Sequence, residues 1–194
     1  MAKILVLCGH PRAESYCAAL AKAYATAATD AGHQVVQVAI ADLPITLSPP
    51  DYKDFKTSGA AADWVATAQA QIQTCDHWVI VAPLWWGGMP AVLKAYLDAV
   101  LLPGFAFRYH SKGLGWDKLL KGRSARVIIT ADTPPFIFRW FWGRPLVKQW
   151  KIQILGFCGF SPVKSSFLGS IKTSTPEKRQ KWLAEIGDIG RAGI

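Results

Sequence analysis

Three short stretches of this chain hold residues that could bind a ligand, and each follows an apolar run. The first spans Gly9 to Cys17 and reads G-H-P-R-A-E-S-Y-C. The second spans Pro83 to Gly88 and reads P-L-W-W-G-G, and the third spans Thr130 to Pro135 and reads T-A-D-T-P-P. Polar donors next to a predicted helix start favour a phosphate in the first stretch. Adjacent tryptophans and glycines favour a flat aromatic ligand, held close to the backbone, in the second.

The first stretch is a candidate phosphate site because a helix is predicted to begin near Ser15. A helix N-terminus offers free N–H groups and a positive dipole, and His10, Arg12 and Ser15 add donors. Neither the dinucleotide-binding glycine motif nor the P-loop motif is present. The alternative is purely structural: Ser15 caps the helix and His10-Pro11 forms an ordinary turn.

The second stretch lies between a predicted strand and a predicted helix. Residues 78–82 are uninterrupted apolar residues, typical of a strand buried on both faces of a parallel sheet. Pro83 ends the hydrogen-bond ladder because it has no N–H. From Ala91 the apolar residues recur three or four apart, as in a helix. The two tryptophans could also be core residues or a dimer contact.

The rest of the pattern alternates strands and helices. This predicts an α/β fold in which a parallel sheet carries helices on both faces and the three stretches share the edge where ligands bind. Residues 42–57 and 101–110 are predicted connections, and the aromatic run 136–142 is predicted to be exposed, as a lid or an interface. The predicted strands are 4–8, 34–40, 78–82, 125–131 and 162–168, and the predicted helices are 15–31, 60–74, one from 91, 144–155 and 176–187.

Length and composition bound the class of protein. The 194 residues, 51% of them hydrophobic, fit one globular domain, 1–194. The net charge of +9 is scattered, which predicts a solvated basic surface and no nucleic-acid partner. Four cysteines without CxxC spacing predict buried free thiols and no metal site. No signal peptide is recognisable, so we expect a cytoplasmic protein. The apolar run 78–93 is too short and broken for stable membrane insertion.

The loops resemble those of the flavodoxin-like NAD(P)H:quinone oxidoreductases, a family that includes mammalian quinone reductases and bacterial drug-modulator and potassium-efflux ancillary flavoproteins. The similarity covers nearly the whole chain and is most specific at 83–94, 104–107 and 157–160. It implies a flavodoxin-like, doubly wound, five-stranded parallel sheet of order 2-1-3-4-5. It also implies tightly bound FMN or FAD, NAD(P)H as co-substrate, and a homodimer with a shared active site.

The resemblance carries site roles over by position. One set of residues matches the loops that hold the flavin phosphates and flank its ring system: His10, Ser15, Tyr16, Cys17, Pro83, Leu84, Trp85, Trp86, Gly87, Thr130, Ala131, Asp132 and Thr133. Arg12 joins this set as a donor of the first loop. Phe107 and Tyr109 match aromatic residues that line the substrate pocket from the partner subunit, and Trp86 is predicted to line that pocket too.

This chain departs from the family in the third loop. Asp132-Thr133 stands where the family has Gly-Gly, and no Tyr or His lies between Thr133 and Gly143, where the mammalian enzymes place a Tyr and a His that assist hydride transfer. Flavin N5 would carry the hydride, and Tyr109 is the candidate catalytic side chain.

The resemblance predicts an enzyme that reduces quinones, or similar flat aromatic acceptors, by ping-pong hydride transfer from NAD(P)H. Two alternatives keep the flavin but change the role. One is a regulatory or ancillary flavoprotein subunit, and the other is a non-catalytic electron carrier. Against the carrier, such proteins present acidic surfaces to their partners, whereas this chain is basic.

Overall fold

Five strands form one parallel sheet in the computed structural model, which describes residues 1–47 and 63–194. They are β1 (Lys3–Cys8), β2 (Gln34–Ala39), β3 (His77–Pro83), β6 (Ser124–Thr130) and β7 (Val163–Leu168); the short strands β4 (Phe107–Tyr109) and β5 (Trp116–Lys118) fall between β3 and β6. The order across the sheet is β2-β1-β3-β6-β7. The sheet strands, numbered among themselves, therefore have the order 2-1-3-4-5, and the predicted fold class is confirmed.

Helices connect the strands, and most begin and end near their predicted bounds. They are α1 (Tyr16–Asp30), α2 (Asp63–Thr74), α3 (Ala91–Val100) and α6 (Pro176–Arg191). The prediction ended α6 too early, at residue 187, because the two glycines of its last turns read as a stop signal. Residues 48–57 of the predicted loop and 60–62 of the predicted second helix lie outside the described residues.

The region between β6 and β7 differs from the single predicted helix 144–155. A π-helical turn, Ile137–Phe141, comes first, and α4 (Pro145–Lys148), a π-helical stretch (Gln149–Ile154) and α5 (Leu155–Cys158) follow it. The helical segment thus ends three residues later than predicted. Gly156 misled the prediction, because glycine is common just after a helix but here lies inside one.

The sheet separates two apolar layers, since alternate residues of its strands face opposite sides. On one side, Leu5, Leu7, Trp78 and Ile80 pack beneath α2 to α5. On the other side, Ile4, Val6 and their counterparts on β3 pack beneath α1 and α6. All seven residues of β3 are buried, including the apolar run 78–82 for which burial was predicted. Among the described residues no helix has the length and hydrophobicity of a membrane crossing.

A small antiparallel hairpin, β4–β5, begins within the predicted connection 101–110 and ends beyond it. Each strand has three residues, too few for an alternating pattern to be recognised in the sequence. Its aromatic side chains meet the end of α5, where the Trp116 and Phe157 rings stack at 4.5 Å. The hairpin is therefore held by ring contacts outside the main sheet.

Candidate functional site

One cleft gathers the three predicted loops at the carboxyl edge of the sheet. Its volume is about 280 Å³. The loops after β1, β3 and β6 meet here because adjacent parallel strands end side by side. The lining residues are His10, Arg12, Ser15, Tyr16, Cys17, Pro83, Leu84, Trp85, Thr130, Ala131, Asp132 and Ile171.

The first loop delivers a helix N-terminus to this cleft. Ser15 is the N-cap of α1, and its Oγ accepts a hydrogen bond from the Ala18 amide at 3.1 Å. The first N–H groups of a helix have no intrahelical acceptor, and at this end Tyr16 and Cys17 line the cleft. With Arg12 beside them, they form an electropositive end suited to a phosphate. The structural role proposed for Ser15 and the binding role are therefore compatible.

His10 and Trp85 form an aromatic wall. Their rings meet edge to face with centroids 5.3 Å apart. His10 Nδ1 accepts the Arg12 amide hydrogen at 3.0 Å, which leaves Nε2 to carry the ring hydrogen. Burial, followed by the neighbouring Arg12 charge, lowers the pKa of His10, so the ring is neutral at neutral pH. His10 thus offers a neutral N–H donor beside the Arg12 cation.

The second loop is a tight turn that separates its two tryptophans. Trp85 and Gly88 exchange backbone hydrogen bonds of 3.0 and 2.9 Å. Trp86 and Gly87 between them have φ of 49° and 77°. Positive φ at both central positions is typical of a type I′ turn, which favours glycine and is uncommon for tryptophan. The turn directs Trp86 outward, where its side chain is fully exposed.

Trp86 and Gly87, both predicted to bind the cofactor, therefore do not line this cleft. Gly87 instead borders a neighbouring groove of about 540 Å³, together with α4 and the π-helical stretch that follows it. The sequence could not reveal this separation because adjacent tryptophans look equivalent until the turn type is known.

The third loop is held by the segment after β7. Asp132 Oδ1 accepts the Lys172 amide hydrogen at 2.8 Å, and the Ile171 amide donates to the Ala131 carbonyl at 3.0 Å. Gly169 permits this contact, since a Cβ there would lie 2.5 Å from the Thr133 carbonyl oxygen. Thr133, which was also predicted to bind the cofactor, is not among the residues that line the cleft. The loop that carries Asp132 and Thr133 is therefore stabilised by hydrogen bonds from the segment after β7.

Cys17 lies at the base of the cleft as a neutral thiol. Its Sγ is 3.2 Å from the Thr130 Oγ1, and burial raises the pKa of Cys17 to about 12. A thiol that is not ionised at neutral pH is a poor nucleophile. All four cysteines are free and buried. Cys17 therefore serves as a packing and hydrogen-bonding residue.

Phe107 and Tyr109 lie apart from the cleft, on the β4–β5 hairpin. Phe107 contacts Tyr109 at 5.1 Å and Phe157 at 5.0 Å, both edge to face. Tyr109 is largely exposed. The two side chains were predicted to serve a partner subunit's pocket, and in their own subunit they contribute nothing to the cleft lining.

Ile171 is a lining residue that sequence reasoning missed. It comes from the loop after β7. The sequence predicted this strand but no ligand-binding residue in the loop that follows it. The Arg179 guanidinium donates to the Ile171 carbonyl at 3.0 Å, and the Tyr16 hydroxyl donates to the Arg179 carbonyl at 2.9 Å. In the sequence, the one indication of this role is that Ile171 is an apolar residue between polar neighbours.

The donor set fits the phosphate and the ring system of a flavin. The helix N-terminus, Ser15 and Arg12 suit a phosphate, while Pro83, Leu84 and Trp85 provide an apolar and aromatic flank for a ring system. The two ends belong to one cleft, as a ligand with a phosphate at one end and a flat ring at the other requires. FMN or FAD would be held by these residues.

Comparisons with known proteins place this architecture. The chain is 28% identical to the FMN-dependent NADH:quinone oxidoreductase of Nitratidesulfovibrio vulgaris, over 98% of this chain and 97% of the relative. It is 26% identical to NAD(P)H dehydrogenase (quinone) 1 of Rattus norvegicus, over 91% and 72%. The crystal structure of Smu.1420 from Streptococcus mutans superimposes with a TM-score of 0.83 at 30% identity, over 98% and 99%. The profile of a family described as having a flavodoxin-like fold matches residues 2–189, and the chain belongs to that family.

Proposed function

We propose that this protein is a flavin-dependent NAD(P)H oxidoreductase that reduces quinones or similarly flat aromatic acceptors. The main observation behind the proposal is that one cleft contains both a helix N-terminus beside Arg12 and an aromatic flank formed by Trp85. A relative that matches at full length is named an FMN-dependent NADH:quinone oxidoreductase, which supports FMN and a quinone.

The residues of the cleft would bind and orient the flavin, which supplies hydride chemistry when bound. Arg12 and the first amides of α1 would hold the phosphate. Trp85 would pack against the ring system, and the neutral His10 would donate a hydrogen bond from Nε2. Neither His10 nor Cys17 needs to change its ionisation at neutral pH, since the pKa of His10 is lowered and that of Cys17 is about 12.

We further propose that two copies of the chain build the complete site. Phe107 and Tyr109 do not line their own cleft, yet Tyr109 presents an exposed ring and hydroxyl on the hairpin. A second copy would bring these side chains over the acceptor. Tyr109→Phe should then lower turnover but leave flavin retention unchanged. A chain that sediments as a monomer at full activity would contradict this arrangement.

The principal experiment is spectroscopic. The purified protein is expected to show the visible absorbance of oxidised flavin, to bleach when NADH or NADPH is added under nitrogen, and to recover when a simple quinone follows. A flavin that binds but resists both nicotinamides would favour a carrier or ancillary subunit. A colourless protein that takes up neither FMN nor FAD would overturn the cleft assignment.

A further inference from the structure

A cluster of exposed aromatic side chains lies next to the cleft but takes no part in it. The run that follows the third loop carries Phe136, Trp140, Phe141 and Trp142, all exposed; Trp140 and Phe141 are 74% and 78% accessible. Large apolar side chains that are adjacent on a surface indicate a contact site, whereas isolated ones do not. The predicted exposure of this run is thus found in the structure, except at Phe138.

Phe138 holds this run rigidly against the domain. Its ring is buried and stacks on Phe167 of β7 at 4.0 Å and 2°. The π-helical turn closes with a hydrogen bond from the Trp142 amide to the Ile137 carbonyl at 3.0 Å. One aromatic ring is therefore the anchor, and its neighbours are presented to the outside on a fixed turn.

The charged residues of this part of the chain are all basic. Residues 133–176 contain no Asp or Glu, and they carry Arg139, Arg144, Lys148, Lys151, Lys164 and Lys172. The Arg139 guanidinium lies 5.1 Å from the centre of the Trp140 ring. Along the next helical segment the buried side chains alternate with exposed Lys148, Lys151 and Ile152. We call the following set the aromatic–basic patch: Phe136, Trp140, Phe141, Trp142, Arg139, Arg144, Lys148 and Lys151.

We propose that the aromatic–basic patch docks the protein on the surface of a bilayer that contains anionic phospholipid. Tryptophan side chains favour the boundary between acyl chains and water, and basic side chains beside them are attracted to anionic headgroups. A surface helix with such a composition lies in the plane of the interface and does not cross it. This inference goes beyond the proposed oxidoreductase activity, because docking requires no turnover.

A second copy of the chain is a poorer occupant. A twofold contact centred on the aromatic–basic patch would place the patch against itself. Its cations would then oppose one another with no acidic side chain of residues 133–176 between them, and like charges in contact disfavour association. An anionic bilayer neutralises the same cations and accepts the aromatic rings.

Docking would bring the cleft to the membrane surface. The groove beside the cleft is bordered by Gly87 on one side and by Lys148 and Ile152 on the other. Lys148 belongs to the aromatic–basic patch, while Gly87 belongs to the turn that begins at Trp85 on the cleft wall. A lipid-soluble acceptor would therefore approach the cleft from the side of the membrane.

The test is co-sedimentation of the full chain with vesicles, made either of phosphatidylcholine alone or of phosphatidylcholine mixed with phosphatidylglycerol. We expect binding to the anionic vesicles and little to the neutral ones, with quenching of tryptophan fluorescence by brominated acyl chains. Trp140→Ser with Phe141→Ser should reduce binding at least about tenfold. Arg139→Gln with Lys151→Gln should reduce it by roughly tenfold or more, since each cation near such a surface contributes about fivefold.

Control variants remove exposed apolar side chains or exposed cations outside the aromatic–basic patch. Val36→Ser with Leu114→Ser removes two exposed apolar side chains, and Lys22→Gln with Lys181→Gln removes two exposed cations from the α1–α6 face. Both controls should bind vesicles like the parent chain. Absence of parent binding to anionic vesicles, or equal loss in the control variants, would overturn the proposal. A change from dimer to monomer in the aromatic variants, without vesicle binding, would identify the patch as an interface between copies.

Discussion

Two aromatic regions of this protein lie close together and behave differently. In the cleft, Trp85 is partly covered and its ring meets His10, next to a helix N-terminus. In the aromatic–basic patch, Trp140 and Phe141 are mostly exposed and their polar neighbours are cations. The difference shows that the residue type does not set the role of an aromatic side chain. Its polar surroundings do: directional donors favour a specific ligand, and diffuse positive charge favours an extended anionic surface.

The largest expected effect tests how the patch is anchored. Phe138→Ala should lower the free energy of unfolding by about 3–5 kcal/mol, because it removes a buried ring. Phe141→Ala, three residues along the chain, should change it by less than about 0.5 kcal/mol, because that ring is exposed. Urea unfolding monitored by circular dichroism measures both. Equal losses in the two variants would mean that the exposed rings pack in solution.

The next effect separates the two tryptophans of the turn. Trp85→Ala should raise the FMN dissociation constant about tenfold to a hundredfold, since stacking on an aromatic ring contributes roughly 1–3 kcal/mol. Trp86→Ala should leave that constant nearly unchanged, because Trp86 lies outside the cleft, and affect only the Michaelis constant of the acceptor. Flavin fluorescence titration gives the first quantity and steady-state kinetics the second. If Trp86→Ala releases the flavin, the position of the turn in the working enzyme differs from the one described.

A smaller effect distinguishes a helix N-cap that only stabilises its helix from an N-cap that also binds the flavin. Ser15→Ala and Thr175→Ala each remove a side-chain N-cap, and each should lower the free energy of unfolding by about 1 kcal/mol. Only Ser15→Ala should also weaken FMN binding, because Thr175 lies outside the cleft. Unfolding curves and flavin titrations of the same two variants measure both properties. Parallel behaviour in both measurements would assign Ser15 a structural role alone.

The smallest effect is the different salt dependence of vesicle binding by the aromatic–basic patch and flavin binding in the cleft. Raising sodium chloride from about 0.1 M to about 0.5 M shortens the screening length from about 10 Å to less than half of that. Vesicle binding should then fall about fivefold, whereas flavin retention should change less than about twofold because the cleft also uses hydrogen bonds and ring contacts. Gel filtration at the two salt concentrations checks retention. A flavin lost as readily as the vesicles would indicate that the cleft binds through charge alone.

Much of this organisation could be predicted from the pattern of residues. The uninterrupted apolar residues of β3, the polar stretch before α1 and the alternation of strands and helices placed three loops at one edge of the sheet. The predictions failed where the local geometry of the chain does not follow the period of its apolar residues. The β4–β5 hairpin is too short to show a period, and the π-helical segments shift the register that a 3.6-residue repeat assumes.

The amino-acid sequence by itself determined the order of elements, the sheet class and which loops converge, because local propensity and apolar periodicity act over neighbouring residues. The tertiary structure alone decided the direction of individual side chains. One turn places Trp85 at the cleft and Trp86 on the surface, and the main apolar core buries Phe138 among exposed neighbours, with its ring stacked on Phe167. The first outcome depends on the conformation of one turn and the second on a contact between distant parts of the chain, and the pattern of apolar and polar residues encodes neither.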